Sequence, residues 1–131
     1  MTVTEAIYHV LSESEELKAI FNDRIFPLST KKQKLPSLFY QIFILDVNHS
    51  KTGGSKLDEY ALKLHLFSLD NLELTKAQEI VRNLLDFKEI TDDEGNTLIE
   101  YFRFTGYTND YLETDEVFNA TVNFTFFTAR N

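Results

Sequence analysis

Apolar positions recur with two periods along this chain, and the switches between periods mark out its elements. Val3, Ala6, Ile7, Val10 and Leu11 fall at i, i+3, i+4, i+7 and i+8, which predicts one stripe of a helix capped by Thr2 or Thr4. Ser12 and Glu15 have capping-box spacing, predicting a second short helix with Leu17, Ile20 and Phe21 inward and Asn22-Asp23 at its end. Arg24–Pro27 reads as extended, because the residue before a proline is pushed out of the helical region. After Pro36 the period changes to two. In Ser37–Asp46 one face carries Leu38, Tyr40, Ile42 and Ile44, and the other Phe39, Gln41, Phe43 and Leu45. Both faces are apolar, so this strand is expected to be covered on both sides. Two arrangements achieve that: a central strand of a well-covered sheet, or helices on one face and another subunit on the other.

Leu57–Ser68 alternates, with Tyr60, Leu62, Leu64 and Leu66 against Glu59, Lys63 and His65, as a half-buried strand does. Asp70 and Glu73 form a capping box for the clearest helix, whose inward stripe is Ala77, Ile80, Val81, Leu84 and Leu85. Phe87–Ile90 is predicted as a short strand and Thr91–Asn96 as its turn. Thr97–Tyr107 returns as a strand, with Leu98, Phe102 and Phe104 on one face and Ile99, Tyr101 and Tyr107 on the other. Thr108–Glu116 is predicted as a loop. The final strand sets Phe118, Ala120, Val122, Phe124 and Phe126 against Asn119, Thr121, Asn123 and Thr125. The order α-α-β-β-β-α-β-β-β, with most neighbouring strands joined as hairpins, predicts a single α+β domain over residues 1–131: a mainly antiparallel sheet with helices packed on one face.

Composition fits that reading. A chain of 131 residues, 43% hydrophobic, is long enough for a core without staples. It contains no cysteine, so no disulfide or thiolate metal site is available. No run has the length of a membrane span, and the N-terminus lacks a signal-peptide layout, so a cytosolic protein with no membrane partner is expected. The net charge of −8 is concentrated between Asp86 and Glu116, where 10 acids meet 2 bases; the remainder is neutral. Such a distribution argues against a protein that grips duplex DNA. It suits a solvated acidic hairpin, or a surface past which DNA slides.

Candidate chemistry is sparse. Val47–Lys56 places two glycines among small polar residues and reads as a long hairpin loop, either a contact arm or a disordered segment. Its Gly53-Gly54-Ser55-Lys56 lacks the first glycine and the following helix of a phosphate-binding loop. Asp92-Asp93-Glu94 lacks the alternation and flanking helices of a calcium loop. Lys31, Lys32 and Lys34 read as a solvated loop. His9, His49 and His65 fall on a helix, a loop and a strand with no metal-ligand spacing, and no serine sits in Gly-x-Ser-x-Gly. Neither catalytic residues, nor a metal, nor a cofactor is expected.

One resemblance bears on function. An N-terminal helical unit, then Asp23-Arg24-Ile25-Phe26-Pro27, then Leu35-Pro36-Ser37-Leu38-Phe39-Tyr40-Gln41 opening a strand, resembles the tail-completion or tail-terminator family of long-tailed bacteriophages. The later strand, helix and closing strands follow the same order, so the resemblance covers nearly the whole chain. It implies a virion protein, assembled in the host cytoplasm, that forms a ring of six subunits. Such a ring caps the tail tube, ends polymerisation and joins the tail to the head connector. Its partners are then itself, the major tail tube protein and the head–tail connector protein, with DNA passing through without specific binding. On this reading Phe39, Gln41, Phe43, Asn48, His49, Ser50, Lys51, Thr52 and Lys56 are candidates for subunit or tail contact. Asp92, Asp93, Glu94, Asp110, Glu113, Asp115 and Glu116 are candidates for an acidic channel. The competing class is a small cytosolic adaptor that presents its loop to one protein partner.

Overall fold

The computed structural model describes residues 2–27, 34–46 and 57–129. Helix α1 spans Val3–Ser12, with Thr2 accepting the Glu5 N–H at 3.1 Å and donating its hydroxyl to the Glu5 carboxylate at 3.0 Å. Ala6, Ile7 and Leu11 of its stripe are buried. Helix α2 spans Glu15–Phe21 and is capped by Ser14, whose Oγ accepts the Leu17 N–H at 3.3 Å. The predicted cap, Ser12, is instead the last residue of α1. The helical ladder continues to Glu13, whose N–H reaches His9 O at 3.0 Å, so Ser14 is the first residue free to turn extended. Asn22 closes α2 at φ 56 and ψ −119, a positive-φ conformation outside the left-handed helical well, and its N–H donates to Lys18 O at 2.8 Å.

A five-stranded sheet follows, in the order β1-β2-β3-β7-β6. Its members are β1 (Ile25–Pro27), β2 (Ser37–Asp46), β3 (Leu57–Ser68), β6 (Phe102–Leu112) and β7 (Val117–Ala129). Only β1 and β2 run parallel; the other pairs are antiparallel. Between β3 and β6 come helix α3 (Asn71–Leu85) and a small second sheet of β4 (Ile90–Thr91) and β5 (Thr97–Ile99). Registry places Leu38, Leu66 and Ala120 in one row, Tyr40, Leu64 and Val122 in the next, then Ile42, Leu62 and Phe124, then Ile44, Tyr60 and Phe126. Most of this face is buried in one core with the inward stripes of all three helices. Each large side chain fully buried there contributes about 1.5–3 kcal/mol. Among the described residues no helix is long and apolar enough to cross a membrane.

Helix α3 starts as the capping signals predict, but its box closes through a third residue. Asp70 Oδ1 accepts the Leu72 N–H at 3.0 Å. The Asp70 N–H goes to Ser68 Oγ at 3.0 Å, and Ser68 donates on to Glu73 Oε1 at 2.9 Å. The relay ties the end of β3 to the start of α3.

The segment after α3 departs most from its predicted pattern. Of the expected strand Phe87–Ile90 only Ile90 is in a strand, which runs on into Thr91, predicted as part of the turn; Phe87 instead turns the chain at φ 63. The expected strand Thr97–Tyr107 is cut at Glu100-Tyr101 into β5 and β6. Ile99 and Phe102 are both fully buried, a spacing of three that one period-two strand cannot satisfy. The expected loop Thr108–Glu116 is also wrong in its first half, since β6 runs on through Leu112. A bulge between Phe104 and Gly106, with Gly106 at φ 145, shifts the alternation. Tyr107 therefore stands on the same face as Phe104, their rings 6.2 Å apart, and not on the opposite face.

Candidate interaction surface

Strand β2 changes character halfway along. Leu38 and Tyr40 are buried under the helices, while Phe39, on the other face, is half-buried between Phe26 and Phe67 at ring separations of 5.6 and 6.0 Å. β1 pairs only with Leu38–Tyr40. Beyond it, Phe43, Ile44 and Leu45 are exposed by 38%, 53% and 55%. The centre of the sheet is β3, with β2 and β7 on either side. Of the two arrangements open to a doubly apolar strand, the central one is thus not adopted: helices cover one face as far as Ile42, and among the described residues nothing covers Phe43–Leu45.

All three helices pack on one face of the sheet. The opposite face grades from aromatic at β1–β2 to polar at β7–β6. One row across it is Phe39, His65, Thr121 and Thr108; the next is Gln41, Lys63, Asn123 and Gly106. Lys63 Nζ lies 5.7 Å from the Phe43 ring centroid, and Asn123 Nδ2 donates to Gly106 O at 3.4 Å. His65 Nδ1 is 3.5 Å from Thr121 Oγ1. Burial, and secondarily the charge of Lys63, hold its imidazole below the ordinary pKa.

The acidic candidates form two groups. Asp92, Asp93 and Glu94 occupy the β4–β5 turn, where Asp92 Oδ1 accepts the N–H groups of Glu94 and Asn96, each at 2.9 Å. Asp110 lies in β6, opposite Asn119, and Glu113, Asp115 and Glu116 form the β6–β7 turn. That turn leads into Val117, at the start of β7, whereas the chain leaving β5 meets the large sheet beside Phe127, whose carbonyl accepts the Glu100 N–H at 3.0 Å. Val117 and Phe127 are separated by roughly 30 Å of strand, so the two acidic turns join the sheet at opposite ends of β7. Asn48, His49, Ser50, Lys51, Thr52 and Lys56, and with them the predicted arm Val47–Lys56, lie outside the described residues, as do Lys31 and Lys32.

Among the described residues no group of three or more histidine, cysteine or acidic side chains is placed to hold a metal ion. A cleft of about 390 Å³ is lined by Tyr8, Ser12, Lys18, Asn22, Asp23 and Ile25. Its one basic group, Lys18, lies 3.6 Å from Glu15.

Near that cleft Tyr40 is buried, and among the described residues its hydroxyl has no hydrogen-bond partner. Burial, and to a lesser degree Tyr8, push its pKa up to about 12. The folded state thus favours the neutral phenol. Its contribution is complete below the unfolded value near 10 and is lost as pH rises from there through about 12. Tyr40→Phe removes an unpaired buried hydroxyl and is expected to raise stability by about 1 kcal/mol. It should also flatten the alkaline limb of a urea-midpoint profile measured from pH 8 to pH 11 (about one unit above the ordinary tyrosine value).

Two features escape a reading of the residues in order. The bare second half of β2 depends on where β1 stops. The exposed Tyr107 and Tyr111, on the outermost strand, are misphased by the bulge; Gly106 within a strand pattern is the signal that marks it.

No family model matches the chain, and no curated protein matches it by sequence. Among solved structures it is similar to a chain described as "Virion of native gene transfer agent (GTA) particle", with a TM-score of 0.80 at 10% sequence identity. The match covers 98% of this chain and 95% of that one. At that identity the likeness is one of fold.

Proposed function

We propose that this chain is a virion structural protein, without catalytic activity, of a tailed phage or phage-like particle. In this reading six copies form a ring on the end of the finished tail tube, stop further polymerisation and join the tail to the head connector. DNA passes through the ring without specific binding. The observation that carries the reading is the fold match to a virion chain, which spans nearly the full length of both chains. The bare half of β2 supports it, since apolar edges left open in one copy suit a protein that works among neighbours. The arm Val47–Lys56 is assigned to the tube or to an adjacent subunit, and the two acidic turns to the passage of DNA.

Light scattering across concentration, followed by negative-stain imaging with and without the particle's own tail tubes, tests the reading. Rings, free or seated on tube ends, are the expected result. A strict monomer at every concentration and in the presence of tubes overturns it, and leaves the adaptor that presents a loop to one protein partner.

A further inference from the structure

We infer that neighbouring copies join edge to edge, β6 of one against β2 of the next, so that their sheets close into one barrel with the helices outside. The inference rests on the ring reading above and specifies its interface.

Both outer edges of the sheet are open among the described residues. The Leu38 N–H donates outward to Arg24 O at 3.0 Å. Backbone direction alternates along a strand, so Ile42 and Ile44 also point their N–H and C=O groups outward, beyond the reach of β1. On the far side, Phe102 directs its groups outward to Phe87 and Lys88. After the one-residue shift of the bulge, Tyr107, Asn109 and Tyr111 point outward with no strand beside them.

The two edges match. β2 and β6 run in opposite directions within one copy, so a head-to-tail ring brings them together antiparallel. Ile42 and Ile44 share the helix-side face with Tyr107, Asn109 and Tyr111, so that either register sets one isoleucine opposite a tyrosine and the other opposite Asn109. Ile44, Tyr107 and Tyr111 are 53%, 52% and 49% exposed in the single copy, and β-branched–aromatic pairs are favourable cross-strand partners. On the other face, the register that sets Phe43 opposite Asp110 of the next copy brings that carboxylate toward Lys63, which lies over the Phe43 ring, a charge-complementary contact.

Their heights match as well. Ile42–Ile44 lie level with Phe124–Phe126 of β7, and Tyr107–Tyr111 with Val122–Phe118. Joining them needs a stagger of about five residues, or roughly 17 Å, across four strands spanning about 19 Å. That corresponds to a strand tilt of roughly 40°, within the range of closed barrels. With β3, α3 and β6 connected in the usual right-handed sense, the stagger has the sign that right-twisted strands require when the helices lie outside. The lumen is then lined by the threonine- and asparagine-rich face, with the acidic turns at its two mouths.

The chain has no cysteine, so introduced pairs report cleanly. The double variants Phe43→Cys/Thr108→Cys and Phe43→Cys/Asp110→Cys cover the two registers that pair the outward edges. After assembly and oxidation, at least one is expected to give a ladder of covalent oligomers up to the ring size, and each single variant none. Dimers from Phe43→Cys alone overturn the inference, because they mean like edges pair. Rings seen by imaging that fail to cross-link with either pair overturn it while leaving the ring reading intact. Absence of rings in the unmodified protein, with and without tubes, removes both. Ile44→Pro gives a second readout, since it deletes an outward N–H without touching the β3 ladder. Its melting temperature should hold while the concentration needed for assembly rises at least tenfold; an unchanged assembly midpoint counts against the proposed edge.

Discussion

Replacing Phe102 by alanine is expected to cost about 3–5 kcal/mol of stability, the range for truncating a fully buried aromatic. Phe102 is completely inaccessible, with ring centroids 5.1 Å from Phe126 and 6.1 Å from Phe124. It also sits where three pieces of backbone meet. Its carbonyl accepts the Phe87 N–H at 2.8 Å, its N–H donates to Lys88 O at 3.0 Å, and β6 begins with it. The cavity left by alanine has little freedom to collapse, since β6 and β7 beside it are paired from Phe102–Phe126 to Leu112–Val117. Against a total of about 5–15 kcal/mol for a domain, such a loss leaves the variant near its unfolding threshold. Urea unfolding followed by far-ultraviolet circular dichroism reads it directly: the midpoint should fall with the slope unchanged. Phe104→Ala is the comparison. Phe104 is only partly buried, with Arg82 stacked 4.2 Å from its ring centroid, and should cost clearly less. Equal losses at the two positions would mean that the junction has no special role in the core.

The same junction shows where local pattern stops determining structure. α1, α3, β3 and β7 were legible because each keeps one period over many residues and each is covered from one side only. For Leu62, Leu64 and Leu66 against Lys63 and His65, alternation alone assigns the faces, and burial agrees. Between Asp86 and Leu112 the chain has to pass from α3 to the outer edge of the sheet. It does so with a left-handed Phe87, a two-residue strand and a bulge at Gly106. Each of these shifts the phase by one residue or breaks it, and a period-two reading carries such an error forward to every later position. The second serine of the Ser12–Ser14 pair became the cap for a similar reason, since the length of α1 decides which hydroxyl is left outside it. The candidate surface was half legible. The two apolar faces of β2 are visible in its letters, but whether the far half is covered depends on how far β1 extends, which is a tertiary fact. The acidic run is contiguous in sequence, and folding divides it between two ends because a strand as long as β6 separates its turns.

If copies join as proposed, Ile44→Asp is expected to abolish ring assembly without harming the fold. The side chain is 53% exposed in the single copy, so the substitution costs the monomer little. In the proposed interface it costs two things at once. The burial of an isoleucine, about 1.5–3 kcal/mol, is lost. A carboxylate is also placed against Tyr107, or between Tyr107 and Tyr111, of the next copy in the two registers, with no cation beside it, which adds a desolvation penalty of comparable size or larger. A total of about 3 kcal/mol already weakens each contact roughly a hundredfold, and a closed ring makes that contact once for every subunit. The variant should therefore run as a monomer at concentrations where the parent forms rings, with the same melting temperature. Leu72→Asp supplies the contrast that separates this argument from simple surface hydrophobicity. Leu72 is 81% exposed, more than Ile44, but it lies in the first turn of α3 and on neither open sheet edge. If the edges are what join the copies, charge at Leu72 leaves assembly in solution unchanged. If instead both variants dissociate the ring equally, exposed apolar area in general drives association, and the pairing of β2 with β6 loses its support.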